Sequence, residues 1–223
     1  ETLLHNIADS NFHVLFERIL EIINKTLNKA ELTSLLFSKS FKNHTILIFV
    51  AWEQNGQNVE LFWNLTANVL TEEDQKSLLL AENIYTMTAL QCSTLNTDPN
   101  TLLVMRKVYE QFFTKNKIQQ LILVIPNEYF PFISDVIIGA SYEMAKEIAV
   151  FLADLFKDDK LRLRKFLCHR EIFGNTIYSW YRDNENYEEK LKVYEELLNE
   201  TFTDFSPMNE DFQLFVGTKL RLY

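Results

Sequence analysis

The chain has 223 residues, of which 47% are hydrophobic and 24% charged, a composition typical of a globular protein. Only four Gly and four Pro are present, which is too few for the many turns of a β-sandwich and favours helices joined by short polar links. The net charge of −9 argues against nucleic acid as a partner, because contact with phosphates requires a basic surface.

The first predicted elements are three helices with polar residues between them. Residues 2–9 form a short helix, and residues 12–25 form a helix with a wide apolar face. A third helix spans residues 28–37 and carries Glu31 in its first turn, where a negative charge interacts favourably with the helix dipole. Residues 38–44 then form a polar link to the next group of helices.

The same order of elements follows in the middle of the chain. Predicted helices there are residues 45–53, residues 59–70, a helix capped by Thr71, residues 88–95 and residues 101–114. Turns are predicted at residues 54–58 and 96–100, and Pro99 is expected to act as a helix breaker in the second turn.

In the last third of the chain, the sequence patterns that predict helices and turns are weaker. Pro126 and Pro131 bracket a link, and a segment over 132–140 follows it. Further helices are predicted at residues 142–157 and 187–199, with a turn over 183–186 between them. The tail, residues 200–223, is rich in Phe and Leu and is predicted to be a terminal cap or the start of a sixth unit.

A period of 43 residues runs through these elements. The phrase that begins at Thr2 returns at Thr45 and Thr88, and more weakly at Pro131 and Thr176. Three alignment columns are apolar or aromatic throughout: Leu4, Leu47, Leu90, Ile133 and Tyr178; Ile19, Phe62, Met105, Ile148 and Val193; and Leu36, Leu79, Ile122 and Leu167. A fixed period of this length is typical of a solenoid, in which stacked units bury a continuous core.

The repeated phrase resembles the T-P-L-H-x-A motif of the ankyrin-repeat family. The matching residues, unit by unit, are Thr2, Leu4, His5 and, one place late, Ala8; Thr45, Leu47 and Ala51; Thr88 and Leu90; and Thr176. Each unit is about ten residues longer than an ankyrin repeat of about 33 residues. The resemblance implies that His5 makes backbone hydrogen bonds that hold the link between units, the finger, to the helices.

The sequence therefore predicts an all-α fold, an ankyrin-like α-solenoid of about five helical repeats in one domain over residues 1–223. The predicted units are residues 1–43, 44–86, 87–129, 130–173 and 174–223. A period near 43 also falls in the range of HEAT and armadillo repeats, which are the alternative architecture. Because the chain opens directly before a repeat phrase, we expect it to be part of a longer protein.

The residues that usually carry catalysis or bind metals lack the necessary spacing. His13, His44 and His169 form no metal-binding pattern, and Cys92 and Cys168 form no C-x-x-C pair. The phrases H-E-x-x-H, G-x-S-x-G and Walker A are absent from the sequence. We therefore expect no metal, no cofactor and no enzymatic activity.

Cysteine usage and hydropathy predict the compartment. Two free Cys fit a reducing environment, and the longest apolar run, residues 46–52, is far too short to insert into a membrane. We expect a cytoplasmic protein, with a nuclear location as the alternative.

The resemblance implies a non-enzymatic scaffold that binds a protein partner on a concave face built from fingers and inner helices. The positions that usually contact partners in the family are Asn43, His44, Ile46, Gln54, Asn55, Thr86, Met87, Ala89, Thr97, Asp98, Asn175, Ile177, Glu185 and Asn186. Trp52 lies near the open end of an inner helix and is the predicted hot spot, because interface energy concentrates in aromatic residues.

Two alternatives to a free scaffold follow from the same sequence. A helical enzyme or ligand-binding domain with a coincidental repeat would be compact and have one deep polar pocket. A structural repeat segment of a large multidomain protein would instead pack its repeats against other parts of the same chain.

Overall fold

The helical prediction is confirmed in the part of the chain that the computed structural model describes, which is residues 2–8, 13–123 and 140–167 and positions 189, 190, 192, 193, 196 and 197. These residues contain helices and no strand, and one isolated antiparallel bridge joins Lys39 to Thr45. The fold class is therefore all-α over the described ranges.

The helices fall into three sets whose members recur along the chain. Within residues 2–8, 13–123 and 140–167, the inner helices are α1 (Leu3–Ala8), α4 (Ile46–Glu53) and α7 (Ala89–Ser93). The outer helices are α2 (His13–Thr26), α5 (Gly56–Val69), α8 (Pro99–Phe112) and α10 (Tyr142–Leu155). The third helices are α3 (Lys29–Leu36), α6 (Glu72–Leu79), α9 (Lys115–Ile122) and α11 (Lys160–Leu167). Successive inner helices begin 43 residues apart, and so do successive outer helices. The sequence period is therefore a period of secondary structure.

Capping side chains explain why the helices begin where they do. The repeated Thr is the N-cap of the inner helix: Thr45 Oγ1 accepts from the Ile48 N–H at 3.3 Å, and Gln91 Oε1 accepts from the Thr88 N–H at 2.8 Å. Outer and third helices are capped by Asn28, Asn55, Thr71, Asp98, Thr114 and Ser141. Each cap satisfies an N–H group that has no partner within the helix.

Two of the predicted turns are helix starts. α5 begins at Gly56 rather than residue 59, and α8 begins at Pro99 rather than residue 101. The expectation that Pro99 breaks a helix is wrong, because the first position of a helix needs no N–H donor and suits the fixed φ of Pro. α7 is also shorter than predicted, and α9 was not predicted.

Equivalent helices of neighbouring units pack on each other. α4 lies between α1 and α7, while α5 lies between α2 and α8, and α10 packs on the other side of α8. Gly56 lies so close to α8 that a Cβ atom there would be 2.8 Å from the Asn100 carbonyl carbon. The missing side chain thus permits the close approach of the two outer helices.

The predicted apolar columns form the core. Buried members are Leu4, Leu47 and Leu90; Phe62, Met105, Ile148 and Val193; and Leu36, Leu79, Ile122 and Leu167. Ile19 is half-buried against this core, while Ile133 and Tyr178 lie outside the described residues. The predicted columns are therefore buried or half-buried wherever the structure describes them.

Candidate functional site

Two links between units form fingers with the same turn. In the first finger, residues 38–45, the Asn43 N–H donates to the Ser40 carbonyl and the Ser40 N–H donates to the His44 carbonyl, both at 2.9 Å. The second finger, residues 81–88, repeats both hydrogen bonds 43 residues later, at 3.0 and 3.1 Å. The links are thus ordered turns rather than loose connections.

One residue in each finger has a left-handed backbone. Asn43 has a φ of 60° and Thr86 a φ of 58°. Asn adopts this conformation readily, whereas a β-branched residue such as Thr is an outlier there. Backbone strain of this kind is found preferentially at functional sites, so Thr86 draws attention to the second finger.

Replacing Thr86 by Asn is expected to stabilise the protein by about 1 kcal/mol, because it removes strain of the order that such outliers store. The free energy of unfolding in urea measures the effect. The reverse change, Asn43→Thr in the first finger, should destabilise by more than this amount, because it also removes the hydrogen bond from Asn43 Nδ2 to the Glu82 carbonyl. Equal stability of wild type and Thr86→Asn would show that the turn holds no strain.

Histidine side chains fasten the fingers to the inner helices. Because a carbonyl oxygen only accepts, His5 Nε2–H donates to the His44 carbonyl at 3.2 Å, as predicted for this residue. Asn83 Nδ2 of the second finger donates to His44 Nε2, also at 3.2 Å. The His44 ring further packs against Phe49 and Trp52 of α4, with centroid distances of 4.8 and 5.6 Å.

The two fingers are also joined to each other. The Ile84 N–H donates to the Lys42 carbonyl at 3.1 Å, and Asn43 Nδ2 donates to the Glu82 carbonyl at 3.0 Å. Backbone and side-chain bonds together hold neighbouring tips in fixed relative positions. A partner that contacts both tips would therefore meet a preformed surface.

Three large apolar side chains project from the joined tips. Phe41 is 79% exposed, Ile84 55% and Tyr85 48%, and we call these three residues the finger patch. Lys42 Nζ lies 5.6 Å from the centroid of the Phe41 ring and adds a positive charge beside it. Exposed apolar residues gathered on one ordered surface are typical of interaction sites.

The finger patch was not among the sequence predictions, which considered the usual contact positions of ankyrin repeats and Trp52. A signal was nevertheless present. Phe41 and Ile84 are 43 residues apart, at the same place in the two links. The first link is otherwise polar, whereas the second also contains Ala81, Tyr85 and Met87. A large apolar residue at the same place in both links could have indicated a contact.

The predicted partner-binding residues are distributed between surface and core. Thr86 and Thr97 are exposed, and Asn43, Trp52, Asn55 and Asp98 are half-buried. Five others are buried: His44, Ile46, Gln54, Met87 and Ala89. Asn175, Ile177, Glu185 and Asn186 lie outside the described residues.

Gln54 shows that buried polar residues of the predicted set bond to neighbouring units rather than face a partner. Its Nε2 donates to the Ala8 carbonyl at 2.9 Å, which links the second unit to the first. The backbone carbonyl of Gln54 accepts from Asn96 Nδ2 at 2.8 Å and from Thr101 Oγ1 at 3.0 Å, which links the second unit to the third. Such side chains hold units together and offer a partner little surface.

Three half-buried members of the set also have structural partners. Asn43 Nδ2 donates to the Glu82 carbonyl, Asn55 caps α5, and Asp98 accepts from the N–H groups of Gly56 and Asn100. The predicted positions with surface to offer are therefore Thr86, Thr97 and part of Trp52, of which Thr86 lies on the second finger and Trp52 beside the first.

Among the residues that the structure describes, no group of three or more His, Cys, Asp or Glu side chains could hold a metal ion. Cys92 is buried, and burial raises the pKa of its thiol to about 12, so the nucleophilic thiolate is scarce at neutral pH. A partly open pocket of about 210 Å³ between α2 and α5 is lined by Glu17, Leu20, Glu21, Asn24, Leu61, Asn64, Leu65 and Asn68.

Within the ranges described, none of the helices combines the length and apolar character needed to cross a lipid bilayer.

No protein-family model, curated protein or solved structure gave a significant match to the chain.

Proposed function

We propose that the chain is an α-solenoid of ankyrin-like units that acts as a non-enzymatic scaffold for a protein partner. The partner binds along the finger side, and the finger patch is the centre of the contact. The observation that carries this proposal is the exposure of Phe41, Ile84 and Tyr85 on two mutually bonded turns. Burying a fully exposed large apolar side chain is worth about 1.5–3 kcal/mol. Contact with a partner would recover most of that energy for Phe41 and a smaller part for Ile84 and Tyr85, which are 55% and 48% exposed.

The rigidity of the fingers supports the same proposal. Hydrogen bonds from His5 and Asn83 to His44, together with the bond from Ile84 to Lys42, order both tips before any partner arrives. A preformed surface loses less conformational entropy on binding than a flexible one. Trp52 lies beside His44 at the base of this surface and extends it onto α4.

A photo-crosslinking experiment tests the location of the binding face. A benzophenone amino acid is placed at Tyr85 in one variant and at Val150, an exposed residue of α10, in the other. We expect specific protein adducts from position 85 in the native cell and none from position 150. Adducts from position 150 alone, or from neither position, would contradict the proposed face.

The affinity of the partner identified in this way should depend on the finger patch. Phe41→Ala and Tyr85→Ala are each expected to weaken binding by about 2 kcal/mol, roughly 30-fold in Kd, as interface hot spots do. Titration calorimetry measures the change. The control Val150→Ala should leave Kd within about twofold, because it removes an exposed side chain elsewhere. Unchanged affinity in both finger variants would exclude the finger patch as the centre of the interface.

A further inference from the structure

A pocket on the outer helices combines a buried apolar base with exposed polar side chains. It has a volume of about 210 Å³ and lies between α2 and α5, where Leu20 and Leu65 are buried. Its polar lining residues are all exposed and are Glu17, Glu21, Asn24, Asn64 and Asn68. Sites for drug-sized ligands usually have about 300–1,000 Å³, so this pocket, which we call the outer pocket, suits a single side chain.

The equivalent place in the next pair of outer helices is filled by a tryptophan. The helices α2, α5, α8 and α10 have equal lengths and begin 43 residues apart, so residues at this spacing are equivalent. Trp63 therefore corresponds to Leu20, and its ring lies 5.8 Å from that of Phe112, which corresponds to Val69. Because leucine and valine are smaller, the space that the two rings fill between α5 and α8 is left open between α2 and α5.

Between α8 and α10 the same position holds an arginine. Arg106 is the equivalent of Leu20 two periods further along the chain. Its Nε donates to Glu110 Oε1 at 2.7 Å, its Nη2 donates to Asp154 Oδ2, and the guanidinium carbon lies 5.4 Å from the centroid of the Phe151 ring. A groove between outer helices can therefore hold a guanidinium between two acceptors, one from each helix.

The outer pocket presents acceptors at these same two positions. Counting back two periods, Asn24 corresponds to Glu110, and Asn68 corresponds to Asp154. Both asparagines line the pocket, and a carboxamide oxygen accepts hydrogen bonds as a carboxylate oxygen does. The outer pocket thus keeps the acceptor positions of the arginine site, while Leu20 stands where the arginine would be.

Two glutamates supply the negative charge that the asparagines do not carry. Glu17 and Glu21 lie one turn apart on α2 and both line the pocket, and none of its eight lining residues is basic. Lys25 Nζ lies 3.7 Å from Glu21 Oε2, but these side chains are 75% and 61% exposed, and ion pairs of this kind contribute little. A cation that enters the pocket can therefore pair with both carboxylates.

We propose that the outer pocket receives an arginine side chain of a protein partner. The stem of the arginine packs on Leu20 and Leu65, and its guanidinium donates to the surrounding carboxylate and carboxamide oxygens. A guanidinium suits this ring of acceptors better than an ammonium or an indole does, because it carries five N–H donors in a planar fork. The site lies on the outer helices and is independent of the finger patch.

Nuclear magnetic resonance of the intact 223-residue chain tests this site with N-acetyl-arginine amide as the probe. A titration over about 0.1–30 mM, which brackets a millimolar Kd, should shift the side-chain amide signals of Asn24, Asn64 and Asn68 in a saturable way. N-acetyl-citrulline amide has the same shape without the charge and should bind at least about tenfold more weakly, because charge-assisted hydrogen bonds are the stronger ones. The absence of a saturable shift, or equal shifts with both probes, would overturn the proposal.

Variants of the pocket make the test specific. Glu17→Gln/Glu21→Gln should raise the Kd of the arginine probe at least about fivefold, because it removes both charges. The matched control is Glu60→Gln, an exposed residue that corresponds to Glu17 beside the groove that Trp63 fills, and it should leave the Kd within about twofold. An unchanged Kd in the double variant, or an equal loss in the control, would contradict an arginine site here.

Leu20→Trp should abolish binding of the arginine probe, because it introduces the side chain that fills the equivalent groove at Trp63. Thermal melts establish that this variant is folded, since Leu20 is buried. If it is not folded, the double glutamine variant decides, because its two positions are exposed. Binding that persists in folded Leu20→Trp would place the arginine outside the outer pocket.

Discussion

Replacing Phe62 by Ala is expected to lower the free energy of unfolding by about 3–5 kcal/mol, the usual cost of truncating a buried Phe. Phe62 is fully buried in α5 and its ring centroid lies 6.3 Å from that of Phe16 in α2. The change therefore opens a cavity at the contact between two units, where both helices are fixed by further packing. Urea unfolding monitored by circular dichroism measures the loss.

Phe41→Ala is the control for this prediction, since it removes the same side chain from an exposed finger tip. Its effect on stability should stay within about 0.5 kcal/mol, as at most surface sites. If Phe62→Ala also cost less than this, the packing of α5 described above would be incorrect.

Ile148→Ala should cost about 2–5 kcal/mol, because Ile148 is fully buried on the inner side of α10. Thermal unfolding of the variant, with the free energy evaluated at one temperature, reveals the loss. Val150→Ala on the same helix removes an exposed side chain and should change stability little. Similar effects of the two changes would mean that Ile148 is not buried in the core.

The repeat register was predictable because positions that are buried in each unit carry apolar residues, which can be recognised in the sequence. Leu4, Leu47 and Leu90 are apolar since each points into the core from the same turn of an inner helix. The repeated Thr was predictable for the same reason, because an N-cap side chain bonds only to N–H groups of the helix that it begins. The sequence was less informative at Asn55-Gly56 and Pro99, where residues that favour turns also favour the first positions of helices.

The candidate site was harder to predict, because exposure is a tertiary property. His44 and Gln54 are polar and were expected to face a partner, yet carbonyl and side-chain partners from neighbouring units enclose both of them. Phe41 is apolar and stands at a tip, where the turn of residues 40–44 directs it away from the helices. Neither arrangement can be deduced from residue type without the stacking of units.

The packing of each layer on its immediate neighbours has a mechanical consequence. A pulling force applied along the chain would load a series of similar contacts, such as α1 on α4 and α4 on α7. A 43-residue length of polypeptide, the spacing of successive inner helices, is about 150 Å long when extended. We therefore expect the chain to lengthen in steps of this order under tension, as one contact breaks while the next one holds.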